Sequence, residues 1–244
     1  MKRKRKILIW LGAILAVFAI LFGVCAIYVM NYYHADKDAI ANFMPESEIT
    51  PHILSDGSIV YEPNGALAGF IFYPGGKVEH TAYEPLMLAL AEQGILCVLI
   101  EMPFRLAVLD IDAADGIQKL FPNIDTWYIG GHSLGGAMAS SYLSEHTTEF
   151  EGLILLAAYA SDSLKESGLK VLSVYGSEDK VLNMDKYRKN KKNLPANHRE
   201  IVIAGGNHAY FGMYGVQSGD GEASISNTAQ ILQTADHVAE FILP

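Results

Sequence analysis

Six short apolar runs recur between residues 68 and 205: "AGFIFYP" (68–74), "ILCVLIE" (95–101), "WYIGG" (127–131), "GLILLAA" (152–158), "VLSVYG" (171–176) and "EIVIAG" (200–205). Apolar residues at consecutive positions suit strands covered on both faces rather than strands with one wet face. Between the runs lie helix candidates. "AYEPLMLALAEQG" closes at Gly94, a residue suited to a helix C-terminus. "AVLDIDAADGIQKLFP" stops at Pro122, and "LGGAMASSYLSEH", "MDKYRKNKKNLP" and "SNTAQILQTADHVAEFIL" complete the set. Strands that alternate with helices predict an α/β fold, with a mostly parallel sheet carrying helices on both faces. Ligands then bind beyond the carboxyl ends of the strands. Ahead of this pattern, "ILSDGSIVYEP" reads as a strand or hairpin turning at Asp56-Gly57. There is no internal repeat and no low-complexity segment.

The N-terminal residues follow a different rule. "MKRKRK" precedes a run from Ile7 to Met30 that contains no charged residue. A helix needs about 20 apolar residues to span a bilayer core, whereas a secretory signal uses about 7–15. No small-x-small cleavage site closes the run, and Phe22, Gly23 and Val24 before Cys25 do not resemble a lipoprotein signal. The reading is an uncleaved single-pass transmembrane anchor over residues 7–30, with a long signal peptide as the alternative. Residues 1–6 form a cytoplasmic tail by the positive-inside rule. The polar segment 31–50, broken by Pro45, reads as a stalk. Residues 51–244 form the main domain, outside the cytoplasm.

Charge and cysteine content narrow the partners. Five of the 18 Lys and Arg residues fall in the first six positions, so the remainder carries 13 cations against 27 acids, a net of −14. An acidic body repels nucleic-acid phosphates. Cys25 lies in the anchor and Cys97 in an apolar run, so there is no disulfide framework. No His/Cys cluster has metal-ligand spacing, and no metal or organic cofactor is expected.

The chemistry centres on Gly131-His132-Ser133-Leu134-Gly135, a G-x-S-x-G pattern between an apolar run and a helix candidate. A sharp strand-to-helix turn projects a serine hydroxyl above the sheet, and flanking glycines remove Cβ atoms where the elements crowd. A serine hydroxyl is a weak nucleophile and needs a base, which in turn needs an orienting acid. His208 in "EIVIAGGNHAYFG" and Asp179 in "VLSVYGSEDKV" follow strand ends in the order serine, acid, histidine. Glu178 and Asp162 are the competing acids. The oxyanion calls for two N–H donors: Leu134, and either Gly76 or Lys77 in the "PGGKVEH" loop. Met102 and Phe104 in "MPF" read as substrate-pocket residues, with core packing equally compatible. Tyr83 fits either a place near the oxyanion loop or a core tyrosine. The "FGMYGVQSGDG" loop reads as scaffold and "KYRKNKKN" as a solvated helix face.

The segments "IFYPGGKVEHTAYEPLMLALAEQGI", "EMPFRLAV", "WYIGGHSLGGAMAS", "VYGSEDKV" and "GNHAYFGMYGVQSGDG" resemble motifs of the α/β-hydrolases, in the small branch grouped with dienelactone hydrolase-like esterases. The resemblance runs from about residue 55 to the C-terminus. It implies an α/β-hydrolase fold and a serine hydrolase that forms an acyl-enzyme, with a small or accessible ester as substrate. Dienelactone hydrolases use a cysteine nucleophile where this chain has Ser133, so their substrate does not carry over. Only "YASDSLKESGLK" separates "GLILLAA" from "VLSVYG", which leaves no room for a lid domain. An acyltransferase, thioesterase or peptidase with the same triad, or a catalytically silent binding module, are the alternative readings. The sequence carries no signal of oligomeric state.

Overall fold

The protein is described from a computed structural model that covers residues 2–43 and 47–244; within the first helix, side chains are described at residues 10, 11 and 14–30. The chain divides into residues Met1–Tyr32 and Tyr33–Pro244. The first unit is one unbroken helix, α1 (Lys2–Met30). Most of its described apolar side chains, among them Trp10, Leu15, Phe22 and Ile27, are exposed. Among the described residues no helix is long and apolar enough to cross a membrane. The expected basic tail and the first residues of the expected anchor lie outside the described side chains.

The second unit is built on an eight-stranded sheet of order β1-β2-β4-β3-β5-β6-β7-β8. The six apolar runs become β3 (Ala68–Tyr73), β4 (Ile95–Leu99), β5 (Trp127–His132), β6 (Gly152–Leu156), β7 (Lys170–Gly176) and β8 (Arg199–Ile203), all parallel. Every residue of β3 to β6 is buried, as runs without alternation require. The expected hairpin is β1 (His52–Ile53) and β2 (Ile59–Tyr61), antiparallel to each other, with β2 also antiparallel to β4. Its turn has Gly57 at φ 89°, and the Asp56 carboxylate accepts the Ser58 N–H at 3.0 Å.

Successive strand residues point to opposite faces and feed two cores. Phe70 and Phe72 pack with Leu86, Leu90 and Ile231 beneath α3 (Glu84–Ala91) and α7 (Asn227–Ile242). Ile71 and Tyr73 pack with Ile129, Leu143 and Leu155 on the face covered by α5 (Leu134–Glu145). Cys97 is an ordinary member of the first core.

Two local expectations differ. The candidate helix over 107–122 shrinks to a 3₁₀ turn at Ala107–Leu109 and α4 (Ile117–Leu120). Asp110, Asp112 and Asp115 favour turns over helix interiors, and Gly116 takes φ 76°. The buried Tyr73 hydroxyl fixes the turn by donating to the Ile111 carbonyl at 2.8 Å and accepting the Ala114 N–H at 2.9 Å. The expected stalk behaves as a strap from Tyr33 onward. The Tyr33 N–H donates to the Lys77 carbonyl at 2.7 Å, its carbonyl accepts the Glu79 N–H at 2.9 Å, and the Asp36 N–H donates to the Met213 carbonyl at 2.8 Å. The strap continues into α2 (Lys37–Phe43), and Ala35 is buried. α6 (Met184–Asn190) follows β7, and no helix or strand intervenes between β6 and β7 among the described residues.

Candidate active site

β5 ends at His132 and α5 begins at Leu134, so the chain reverses on Ser133 alone. That residue takes φ 52°, ψ −119°, a conformation that costs a non-glycine residue of order 1–3 kcal/mol. The surroundings force it. A Cβ on Gly131 would run into the Tyr73 carbonyl oxygen, and one on Gly135 would meet the Tyr73 and Pro74 carbonyls. Strand β3 and helix α5 therefore touch backbone to backbone. The Ser133 N–H donates to the Leu156 carbonyl at 2.9 Å, locking the elbow to β6.

β7 and β8 are adjacent and parallel, so the loops after them meet. Asp179 follows β7 and His208 follows β8. The His208 Nδ1 lies 2.9 Å from the Asp179 Oδ2, with side chains 2% and 1% exposed. The other carboxylate oxygen of Asp179 accepts the N–H groups of Val181 and Leu182 at 2.9 and 2.8 Å. With an acceptor-only carboxylate at Nδ1, His208 carries its proton there, which leaves Nε2 as the free base. Nε2 is buried and has no hydrogen-bond partner among the described residues. Of the competing acids, Glu178 accepts from the Ser177 hydroxyl at 3.0 Å and Asp162 from the Ser141 hydroxyl at 2.6 Å. The carboxylate seated against His208 is Asp179.

Ser133 and His208 open on one cavity of about 250 Å³, lined further by Leu134, Ala137, Ala157, Tyr159, Leu182 and Asn183. No hydrogen bond joins the serine to Nε2; such contacts often tighten only when substrate is bound. Met102 and Phe104, read as substrate-pocket residues, do not line this cavity. They line a separate cleft of about 370 Å³ with Pro74, His80, Glu101 and Arg105, where Phe104 is 61% exposed. That cleft follows β3 and β4, whereas the Ser133 cavity follows β5, β6 and β7. Its wall residues sit in "LAAYA" and "KVLNM", just past strand ends, and that position is the signal that could have found them.

The oxyanion alternatives separate on hydrogen bonding. The Lys77 N–H donates to the Arg105 carbonyl at 2.8 Å, which removes Lys77 as a donor. The N–H groups of Gly76 and Leu134 donate to no described residue. The two residues are in contact: a Cβ on Gly76 would lie 2.8 Å from Leu134 Cδ2.

His132 is fully buried beside this machinery, its ring centroid 4.6 Å from that of His208. Burial, and then the neighbouring His208, hold its pKa well below the ordinary histidine value, so it is neutral. Residues absent from the sequence-based site complete the base loop. The Asp220 carboxylate accepts the N–H groups of Ala209 and Gly221 at 2.9 and 2.7 Å. Asn207 exchanges hydrogen bonds with Gln230 of α7, its N–H donating at 2.9 Å and its carbonyl accepting at 2.8 Å. Among the described residues, no group of His, Cys, Asp or Glu is placed to hold a metal ion.

A strained serine elbow at the end of a parallel strand, with an Asp–His pair carried by the two strands beyond its neighbour, is an α/β-hydrolase arrangement. The family model described as alpha/beta hydrolase family matches residues 69–232, and the chain belongs to that family. Among solved structures, a dienelactone hydrolase from Anabaena variabilis ATCC 29413 superposes with a TM-score of 0.62 at 14% identity, covering 81% of this chain and 100% of that one. Carboxyl esterase 2 from Tuber melanosporum gives 0.58 at 13% identity, covering 87% and 92%. Est1E from Butyrivibrio proteoclasticus gives 0.56 at 15% identity, covering 80% and 97%. At these identities the likeness is one of fold. No curated protein matches the chain.

Proposed function

We propose that this chain is a serine carboxylesterase that works through an acyl-enzyme. The observation that carries the reading is the buried Asp179–His208 pair, in which His208 keeps an unpartnered Nε2 and lines the cavity that holds Ser133. The Ser133 Oγ attacks the ester carbonyl carbon and passes its proton to His208 Nε2. Asp179 holds the imidazolium by its Nδ1–H and keeps the ring in the orientation that presents Nε2. The carbonyl oxygen becomes an oxyanion, received by the N–H groups of Leu134 and Gly76. Collapse breaks the carbon–oxygen bond to the alcohol, which leaves with the proton from Nε2. Water then gives a proton to Nε2 as it attacks the acyl carbon; the bond to Ser133 Oγ breaks, the Nε2 proton returns to Oγ, and the acid is released.

A small acyl group fits the alanine-lined cavity, and the short β6–β7 connection leaves its mouth open to an accessible ester. Support for an ester over other acyl bonds comes from the carboxyl esterase among the structural neighbours. The N-terminal helix is proposed as a single-pass anchor, with the catalytic unit on the outer face. Support for that is the uncharged run Ile7–Met30 behind the basic cluster. Protease added to intact cells then cleaves the catalytic unit; full protection until lysis overturns the orientation.

The test of the chemistry is intact-mass spectrometry after exposure to a fluorophosphonate. Wild type gains one adduct and hydrolyses simple esters, while Ser133→Ala takes no adduct and loses turnover. Turnover retained in Ser133→Ala rejects the nucleophile.

A further inference from the structure

Gly75 stands directly before Gly76, and its own N–H is directed inward rather than to the cavity. It donates to the Tyr83 hydroxyl at 3.1 Å. The same hydroxyl lies 2.8 Å from Nδ1 of His132, the residue before Ser133. One buried oxygen thus joins the loop carrying the proposed oxyanion donor to the turn carrying the proposed nucleophile. Because that hydroxyl accepts from Gly75, its own hydrogen is free to reach Nδ1 of the neutral His132 ring. The chain of donors then runs one way, from Gly75 to Tyr83 to His132.

The tether has no slack. A Cβ on Gly75 would lie 2.6 Å from the Tyr83 hydroxyl oxygen and 2.7 Å from His132 Nδ1. The Tyr83 ring is itself seated against Phe72 and Tyr214, at centroid distances of 5.1 and 6.3 Å. Tyr83 and His132 are both shut off from solvent, so water cannot replace either bond. Burial also pushes the Tyr83 hydroxyl pKa upward, which keeps it a donor. Neither residue lines the Ser133 cavity, so neither is placed to touch substrate.

We propose that Tyr83 is a positioning residue that holds the Gly76 N–H in register with Ser133 through its paired bonds to Gly75 and His132. The proposal rests on Ser133 as the nucleophile. An oxyanion donor must match the position that the oxygen takes in the tetrahedral state, not in the substrate. Loss of the tether therefore acts on kcat and leaves substrate binding nearly untouched.

The experiment uses the full chain in detergent, with Tyr83→Phe, His132→Asn, His132→Leu and the Tyr83→Phe/His132→Leu double variant. Active sites are counted by fluorophosphonate mass shift, so misfolded protein is not scored. For Tyr83→Phe, kcat per titrated site falls about 10- to 100-fold, with KM within about threefold of wild type. Affinity for a trifluoromethyl ketone, which forms a tetrahedral oxyanion on the serine, falls in proportion. His132→Asn, whose amide oxygen can stand in for Nδ1, keeps most of the activity, while His132→Leu falls as Tyr83→Phe does. The double variant is no worse than either single change, as members of one linkage should be.

Wild-type kcat per titrated site in Tyr83→Phe overturns the proposal, and so does a fall in kcat with ketone affinity unchanged. Additive losses in the double variant, or equal losses in His132→Asn and His132→Leu, also overturn it. A wild type that takes no adduct and shows no turnover removes the nucleophile reading itself, and the proposal with it.

Discussion

The Asp179–His208 loops and the Ser133 elbow lie at the same end of the sheet, yet opposite means hold them. The acid and base are fixed by polar side chains that satisfy one another. Asp179 takes two backbone N–H groups as well as the imidazole, Asp220 staples the start of the base loop to its return, and Gln230 clamps the backbone of Asn207. The elbow is fixed by the absence of side chains. Gly131 and Gly135 let backbone meet backbone at Tyr73, and the strain falls on Ser133. The difference follows from what each half must do. A carboxylate and an imidazole need their charges and tautomer set, which takes directed hydrogen bonds. An oxyanion site needs N–H groups held in place but left without partners, so the holding falls to close backbone contact and to bonds made by neighbouring groups.

The largest expected effect comes from breaking the polar half without moving it. In Asp179→Asn the amide oxygen keeps the bonds from Val181 and Leu182, while its NH₂ faces Nδ1 of His208. Nδ1 must then accept, and the proton moves to Nε2, where the lone pair is needed. The expected loss is about 10⁴-fold in kcat with little change in thermal stability. A loss below about tenfold would mean that the carboxylate is structural and that the contrast drawn between the halves is wrong.

The steric half should fail in the other currency, stability. In Gly135→Ala the added methyl meets two backbone carbonyl oxygens, which cannot rotate away as a side chain can. Helix and strand must part, at a cost of about 3 kcal/mol or more. Denaturant unfolding should show that loss, together with a drop in active sites titrated by fluorophosphonate. Unaltered stability would show that α5 and β3 have room to separate, and the confinement argument would fall.

The two halves also differed in how readily the sequence disclosed them. The sheet was plain in the six apolar runs, because burial on both faces leaves no polar position to obscure a strand. The proposed triad of Ser133, Asp179 and His208 was read from order and place at strand ends. The supports were not. Asp220 and Gln230 act across 11 and 23 residues of sequence, and nothing local marks a side chain that bonds a distant backbone. The cavity walls at Ala157 and Leu182 carry no chemical mark, while Met102 and Phe104, which also follow a strand end, line a different cleft. The Tyr33 strap was hidden because its bonds are mainly backbone bonds, which any polar-looking segment can make. Lys77 failed as a donor for the same reason: its N–H is spent on a carbonyl 28 residues away in sequence.

The smallest effect sharpens the comparison where the halves touch, at His132. This residue belongs to the elbow, yet it titrates, and its ring faces His208 and the Tyr83 hydroxyl. Its folded pKa is depressed well below 6.5, first by burial and then by His208. In the window between those values the unfolded chain binds a proton that the folded chain refuses. Stability is therefore fully present above the unfolded pKa and is lost as pH falls below about 6.5 towards the folded value. One such group contributes a slope of about 1.4 kcal/mol per pH unit. His132→Asn removes that proton from the balance while it keeps an acceptor for Tyr83. Denaturation midpoints taken from about pH 7.5 down to about pH 5.5 should then fall less steeply for the variant than for wild type. Parallel slopes would mean that His132 takes up a proton in the folded state, which its burial forbids unless water reaches the ring. In that case the elbow would no longer be a dry, sterically confined construction, and its distinction from the hydrogen-bonded logic of the base loop would narrow.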